Sequence, residues 1–311
     1  MPVPSLLEST RRFRVAAAAL CVAATLGACG DDDDDDDLTG PGANVAAGRT
    51  IFGIDAANNL VAFGATNPTT TAARRIAITG LAAGETVVGI DFRATAPVTT
   101  AADRKLYGAT SASRIVTIDT TSGAASAVGT TAFTPGLLGT AFGFDFNPTA
   151  DRIRLHSDQE QDLRLNQLTG ATAAVDTALA YAIGDANVGQ NPNVVGTAYT
   201  NSVAGATATD LFAIDSDRDV LVFLANPNSG RLTTRGALGV NTTQDVGFDV
   251  FGPGLATTPA QVAVTAQAYA TLTTQGQSRS RLYTINLGTG QATLVGDVNY
   301  GRPLVGIAIT P

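Results

Sequence analysis

The chain has no tryptophan, one histidine, one methionine and two cysteines in 311 residues. Without Trp the largest aromatic platform for stacking a ligand ring is missing, although six Tyr remain. A single histidine, His156, cannot build a His-rich metal centre and is expected to be packed or hydrogen-bonded. Both cysteines, Cys21 and Cys29, precede the body of the chain, so residues 48–311 can form neither a disulfide nor a thiolate metal site. No glycine-rich phosphate loop, G-x-S-x-G elbow or H-E-x-x-H is present. No cofactor and no metal are therefore expected. Lysine is nearly absent as well, with Lys105 alone against fifteen Arg in the body. Of the formal net charge of −8, most comes from the unbroken run Asp31–Asp37. From Leu38 onward sixteen basic residues face nineteen acidic ones, a net of −3, so no basic patch for nucleic acid exists.

What is present begins at the N-terminus. Arg11, Arg12 and Arg14 precede the apolar run Val15–Leu26. That run is shorter than the about 20 residues of a membrane-spanning helix and suits the core of a secretory signal peptide. Thr10-Arg11-Arg12-Phe13 is similar to a twin-arginine signal with the wrong spacing, which leaves general secretion as the default. The run ends in Leu26-Gly27-Ala28-Cys29, which resembles the lipobox of bacterial lipoproteins. The resemblance implies a signal peptide over 1–28 and lipidation of Cys29; the alternative is ordinary small-residue cleavage beside an incidental cysteine. Residues 29–47, with seven consecutive Asp and then Gly and Pro, read as an extended, solvated tether. A calcium-binding or sorting role for the Asp run is the alternative, the former without fixed ligand geometry. The expected location is the bacterial cell envelope, with the membrane as partner through the lipid.

The body lacks helical periodicity and carries short runs of Val, Ile, Leu, Phe and Tyr between turn residues. One motif recurs five times: Val88-Gly89-Ile90-Asp91-Phe92, Phe142-Gly143-Phe144-Asp145-Phe146, Val195-Gly196-Thr197-Ala198-Tyr199, Val246-Gly247-Phe248-Asp249-Val250 and Val305-Gly306-Ile307-Ala308-Ile309. Its glycines stand 54, 53, 51 and 59 residues apart, a period that suits propeller blades. Three further strands are expected after each of the first four motifs. The last motif has no strands after it, and the body opens with three strands (51–55, 60–63, 75–78) that lack an inner one. The two deficits match. They predict a single all-β domain over 48–311, a five-bladed β-propeller with four antiparallel strands per blade, its C-terminal strand closing the first blade. An open β-sandwich is the alternative. A monomer is expected.

The segments Leu81-Ala82-Ala83-Gly84-Glu85, Gly143-Phe144-Asp145-Phe146-Asn147-Pro148, Leu163-Arg164-Leu165-Asn166, Gly184-Asp185-Ala186-Asn187 and Asn191-Pro192-Asn193-Val194-Val195-Gly196 resemble a bacterial domain-of-unknown-function family of exported propeller-like proteins. The resemblance runs over about residues 50–310. It implies the fold and export, and no activity.

Four features could carry function. Asp91, Asp145 and Asp249 share one slot of the motif, either as a cation or acid-base ring or as structural acceptors of backbone hydrogen bonds. Arg154 and Arg164 fall on one face of a predicted hairpin, either as an anion site or as an inter-blade ion-pair network. Asp215-Ser216-Asp217-Arg218-Asp219 has the alternating acids of a calcium loop but lacks its glycine and its terminal glutamate, so a hairpin turn is expected. The stretch Tyr181–Asn201 reads as a long loop in which Asp185, Asn187, Asn191, Asn193 and Asn201 could converge at one mouth of the ring. Candidate ligand-binding residues are thus Asp185, Asn187, Asn193, Arg154 and Arg164, beside the lipidation site Cys29. The expected function is a lipid-anchored extracytoplasmic binding or interaction module. A carboxylate-dependent, glycosidase-like hydrolase is the alternative.

Overall fold

The structure is a computed structural model that describes Met1 and residues 49–69, 73–94, 105–252 and 266–311. Cys29, the acidic tether and residues 2–28 of the expected signal peptide lie outside the described residues. Among the described residues no helix is long and apolar enough to cross a membrane.

Five antiparallel sheets form a five-bladed propeller. Blade 1 joins β1 (Thr50–Ile54), β2 (Asn59–Gly64) and β3 (Arg74–Ala77) to the chain's last strand, β21 (Gly306–Ile309). Blade 2 is β4 (Val87–Phe92), β5 (Leu106–Thr110), β6 (Ile115–Ile118) and β7 (Ala125–Val128). Blade 3 is β8 (Phe142–Asn147), β9 (Arg152–Ser157), β10 (Asp162–Leu165) and β11 (Thr172–Val175). Blade 4 is β13 (Val194–Tyr199), β14 (Leu211–Asp215), β15 (Val220–Leu224) and β16 (Arg231–Ala237). Blade 5 is β17 (Thr242–Phe251), β18 (Gln267–Thr274), β19 (Arg281–Ile285) and β20 (Ala292–Asp297).

The predicted closure is present. β21 pairs antiparallel with β1, with Ile51 opposite Ile309 and Gly53 opposite Ile307. One element was not anticipated. β12 (Ala180–Tyr181) pairs parallel with β16 and adds a fifth strand to the outer edge of blade 4. It belongs to the linker between blades 3 and 4, and it covers an edge that would otherwise be open.

The five motifs supply the inner strands β4, β8, β13, β17 and β21, and each touches its neighbours around the ring. The motif glycine permits that approach. A Cβ on Gly143 would lie 2.2 Å from Thr197 Oγ1 and 2.7 Å from the Thr197 amide nitrogen on the next inner strand. The same step carries Gly89 to Phe144, Gly196 to Phe248 and Gly247 to Ile307. Only glycine allows backbones this near. Period-2 alternation then sends the other face of each blade into buried apolar clusters. Clusters fill the spaces between blades 1 and 2, 2 and 3, 4 and 5, and 5 and 1 from both sides. The cluster of blade 4 and its linker is different, because no apolar side chain of blade 3 joins it. Ile153 and Leu155 of β9 point into the cluster shared with blade 2, so the alternating Arg154 and His156 face blade 4.

Candidate functional site

Three polar regions emerge from this framework. The first lies on the inner strands. Gly and Asp of the motif are two residues apart, so they share a strand face and meet the same neighbouring blade. Asp91 Oδ2 accepts the Phe146 amide at 2.8 Å, Asp145 Oδ1 the Tyr199 amide at 3.1 Å, and Asp249 Oδ2 the Ile309 amide at 2.6 Å. Each acceptor therefore latches its blade to the next. In blades 4 and 1 the slot holds Ala198 and Ala308, so the following amides, Val250 and Phe92, have no such latch. They donate instead to the Asp beside them, at 2.5 Å to Asp249 Oδ1 and 2.7 Å to Asp91 Oδ1. Three carboxylates thus satisfy five inward-facing amides, as buried polar groups require.

These carboxylates are buried, and one oxygen of each lies within 4.8 Å of the others, near enough to share a cation. Burial raises all three; the Asp249 charge adds to the rise at Asp91, and Asp91 and Asp249 both add to it at Asp145. Burial pushes Asp249 up to about 7 against the pull of its two amides. An unfolded Asp titrates near ~3.9. The folded state therefore holds more protons than the unfolded one between those values, and the cluster's stabilisation, complete at low pH, is lost as pH rises through about 7. The melting temperature is expected to be higher at pH 5.5 than at pH 8. Glu85, which the Arg114 guanidinium holds down at about 2, does not oppose this in that window. In Asp145→Asn the amide oxygen keeps the Tyr199 bond while one charge is gone, so the two melting temperatures should converge. An undiminished difference would show that Asp145 does not contribute to it.

The second region is the interface between blades 3 and 4. Arg154, only 2% exposed, donates to Asp162 Oδ1 at 2.5 Å, Asp176 Oδ2 at 2.6 Å, Asn228 Oδ1 at 2.8 Å and Tyr199 OH at 3.2 Å. Arg164 sits directly opposite Arg154 across the hairpin and holds both oxygens of Asp176. His156 Nδ1 lies 2.9 Å from Thr197 Oγ1, and its Nε2 lies 3.4 Å from Asp162 Oδ1. This chain of charges and hydroxyls runs from blade 3 to Tyr199, Thr197 and Asn228 beside blade 4.

The third region is the mouth of the ring where the inner strands begin. A cavity of about 270 Å³ has Ala56, Val88, Phe142 and Val305 on its apolar side and Thr140 and Asp245 among its polar lining. A neighbouring cavity of about 390 Å³, lined by Asp217, Thr243 and Gln275, shares Gln244 and Asp245 with the first. A bulge brings those two residues there. Thr242 pairs with Thr274 and Val246 with Leu272, so three residues of β17 face one of β18. Bulges of this kind re-aim side chains at the rims of sheets. Gln244 Nε2 reaches Asn193 Oδ1 at 3.3 Å, and Asn193 in turn donates to Ser216 Oγ at 2.8 Å and Asp217 Oδ1 at 3.1 Å.

A family profile described as Domain of unknown function (DUF4394) matches residues 59–308. The chain belongs to this family. No curated protein matches the chain. Among solved structures, BBS1N in complex with ARL6DN is similar at 12% identity and a TM-score of 0.38, covering 85% of this chain and 64% of that one. The dihydro-heme d1 dehydrogenase NirN in complex with DHE is similar at 10% identity and 0.35, covering 78% and 43%. A protein from Lactobacillus plantarum follows at 12% and 0.36, covering 82% and 69%. The chain spans less than two thirds of the first two, and likeness at this level carries no argument about activity.

In this DUF4394 member the candidate residues fall into three separate places. Arg154 and Arg164 come together on Asp176 at the interface of blades 3 and 4. Asp185 and Asn187 come together on Thr234 of β16, at the outer edge of blade 4. Asp185 accepts the Thr234 amide at 2.6 Å and its hydroxyl at 2.9 Å, and Asn187 Nδ2 donates to that hydroxyl at 3.0 Å. Burial works to raise Asp185, but the bonds from Thr234 and Asn187 outweigh it and leave the carboxyl below its ordinary range. Asn193 alone reaches the mouth. Asn201 lies beyond the far end of β13, roughly 20 Å of strand away, so the loop's side chains do not converge. The acidic stretch 215–219 is a hairpin turn in which Asp215 Oδ1 accepts the Asp217 and Arg218 amides and Oδ2 accepts the Tyr181 hydroxyl. Gln244 and Asp245 were missed. A signal for Asp245 existed in the residue before each motif, which is Val87, Ala141, Val194 and Leu304 in four repeats and an acid only in this one.

Proposed function

We propose that this DUF4394 member is a lipid-anchored extracytoplasmic binding module that takes its ligand at the ring mouth. The observation that carries the reading is the pair of adjoining cavities sharing Gln244 and Asp245 at the start of the inner strands. A concave site with an apolar side, a few polar groups and rigid strands behind it has the form of a ligand pocket. The ring carboxylates do not call for a hydrolase, because latching five main-chain amides accounts for all three. The anchor is proposed from Arg11–Arg14, the apolar run and Leu26-Gly27-Ala28-Cys29.

Two experiments on the full chain test the two halves. Cys29→Ser should abolish incorporation of a labelled fatty acid and release the protein from membranes; continued labelling would refute the anchor. A thermal-shift screen of small molecules should yield ligands that stabilise the chain and lose their effect in Ala56→Trp, whose bulky ring at an exposed position of the first cavity obstructs the mouth. Stabilisation undiminished in that variant would move the site elsewhere.

A further inference from the structure

Asp245 is the acid that breaks an apolar slot of the repeat, and its surroundings define what it would bind. It stands half-buried between the two cavities, on the bulge of β17. Burial raises its carboxyl above the ordinary range, and only the Thr243 side chain offsets this. Among the described residues no Lys or Arg pairs with it, and neither cavity has a Lys, Arg or His in its lining. The other charge in the lining, Asp217, has the same sign. Other carboxylates have partners: half-buried Asp185 is held by Thr234, buried Asp55 by Asn59 and Tyr300, and half-buried Asp210 has the Arg235 charge near it. A desolvated carboxylate without a counter-charge, beside an apolar wall, favours a cation that brings its own apolar stem.

We propose that the mouth binds an alkylammonium group, its cationic head against Asp245 and its stem against Val88, Phe142 and Val305. Both a free aliphatic amine and the lysine side chain of a partner protein present that chemistry. The proposal rests on the reading of the mouth as the binding face and adds the ligand's charge and shape. Lysine, with a compact head on a four-carbon stem, is the natural protein source of such a group.

The test is a chemical-shift titration of the full chain with n-butylammonium, with N-acetyl-lysine methylamide and with n-butanol as the neutral counterpart. Saturable shifts at Val88, Phe142, Gln244 and Asp245 are expected with both cations. Binding of n-butanol should be at least about tenfold weaker, the effect of losing one contact to a charged partner. Asp245→Asn should erase the preference for the cation. Tighter binding of the lysine derivative than of butylammonium would assign the site to a protein partner, and the reverse to a free amine. If butanol binds as well as butylammonium, or Asp245→Asn leaves the preference intact, the cationic ligand is wrong while the mouth stands. If none of the three probes shifts the mouth, the proposal falls, and the screen with Ala56→Trp then decides the mouth on its own. Should Asp245→Asn unfold, the discrimination by the unaltered chain between butylammonium and butanol is decisive.

Discussion

Removal of residues 305–311 is expected to abolish the cooperative melt of the domain. These residues contain β21 (Gly306–Ile309), the inner strand of blade 1, which pairs with β1. Ile307 and Ile309 are buried, and each contributes about 1.5–3 kcal/mol through burial alone. The truncation also strands Asp249 Oδ2, which loses the Ile309 amide, and it removes the bonds from the Val305 and Thr310 amides to Ile54 O and Thr50 O. Gly247 loses the strand it packs against. The sum is comparable with the about 5–15 kcal/mol by which a domain is stable at all. A permuted chain that places residues 300–311 ahead of Arg49 should restore a single transition, because the blade is then made of contiguous sequence. A truncated chain that melts like the parent would show that blade 1 is not closed by its C-terminal strand.

Arg154→Ala is expected to cost about 3–5 kcal/mol, the usual effect of removing one member of a buried ion pair. The reason lies in what it leaves behind. Asp162 and Asp176 are both buried, and each would lose its contact with the guanidinium. At about 2–4 °C per kcal/mol for a chain of this size, the melting temperature should fall by roughly 10 °C. Arg164 makes a similar ion pair with Asp176, but its side chain is 35% exposed. Arg164→Ala should therefore cost less than about 1 kcal/mol. Adding Asp162→Asn to Arg154→Ala should recover part of the loss by removing the uncompensated charge. Equal losses at Arg154 and Arg164 would contradict the buried-network account.

The strands were legible because short apolar runs stand between clusters of turn residues. β14 (Leu211–Asp215) and β15 (Val220–Leu224) are such runs, buried almost throughout, and the turn residues between them mark where one ends and the next begins. Ring closure was legible because a missing strand at one end matched an unaccompanied one at the other. β12 was not legible, since two residues carry no period and their pairing depends on Gly230 lying close to Ala178 across the blade edge. The Asp slot could be counted, but its task could not. Whether Asp91 binds an ion or a backbone amide depends on which neighbour lies opposite, and that is settled only when Phe146 arrives from the next blade. Asn193 reached the mouth for the same reason Asn201 did not: they cap opposite ends of one strand, although a loop reading placed them together. Asp245 escaped notice because it lies one residue outside the motif, where the apolar character of Val87, Ala141, Val194 and Leu304 makes it the exception.

The Arg154 network and the carboxylate latches give the ring two different polar frameworks. One ties blade 3 to blade 4 where apolar packing is not shared, and the other ties inner strands along the axis. Both hold strands in place behind the mouth, which keeps the bulge at Gln244 and Asp245 on a fixed base.

The most direct measurement is amide hydrogen exchange on the full chain with and without a ligand that raises its melting temperature. Binding at the mouth predicts slowed exchange at residues 86–88, 140–142 and 242–246, with little change at 185–191 and 201–209. Slowing confined to the outer edge of blade 4 or to the far ends of the inner strands, with residues 242–246 unaffected, would contradict it.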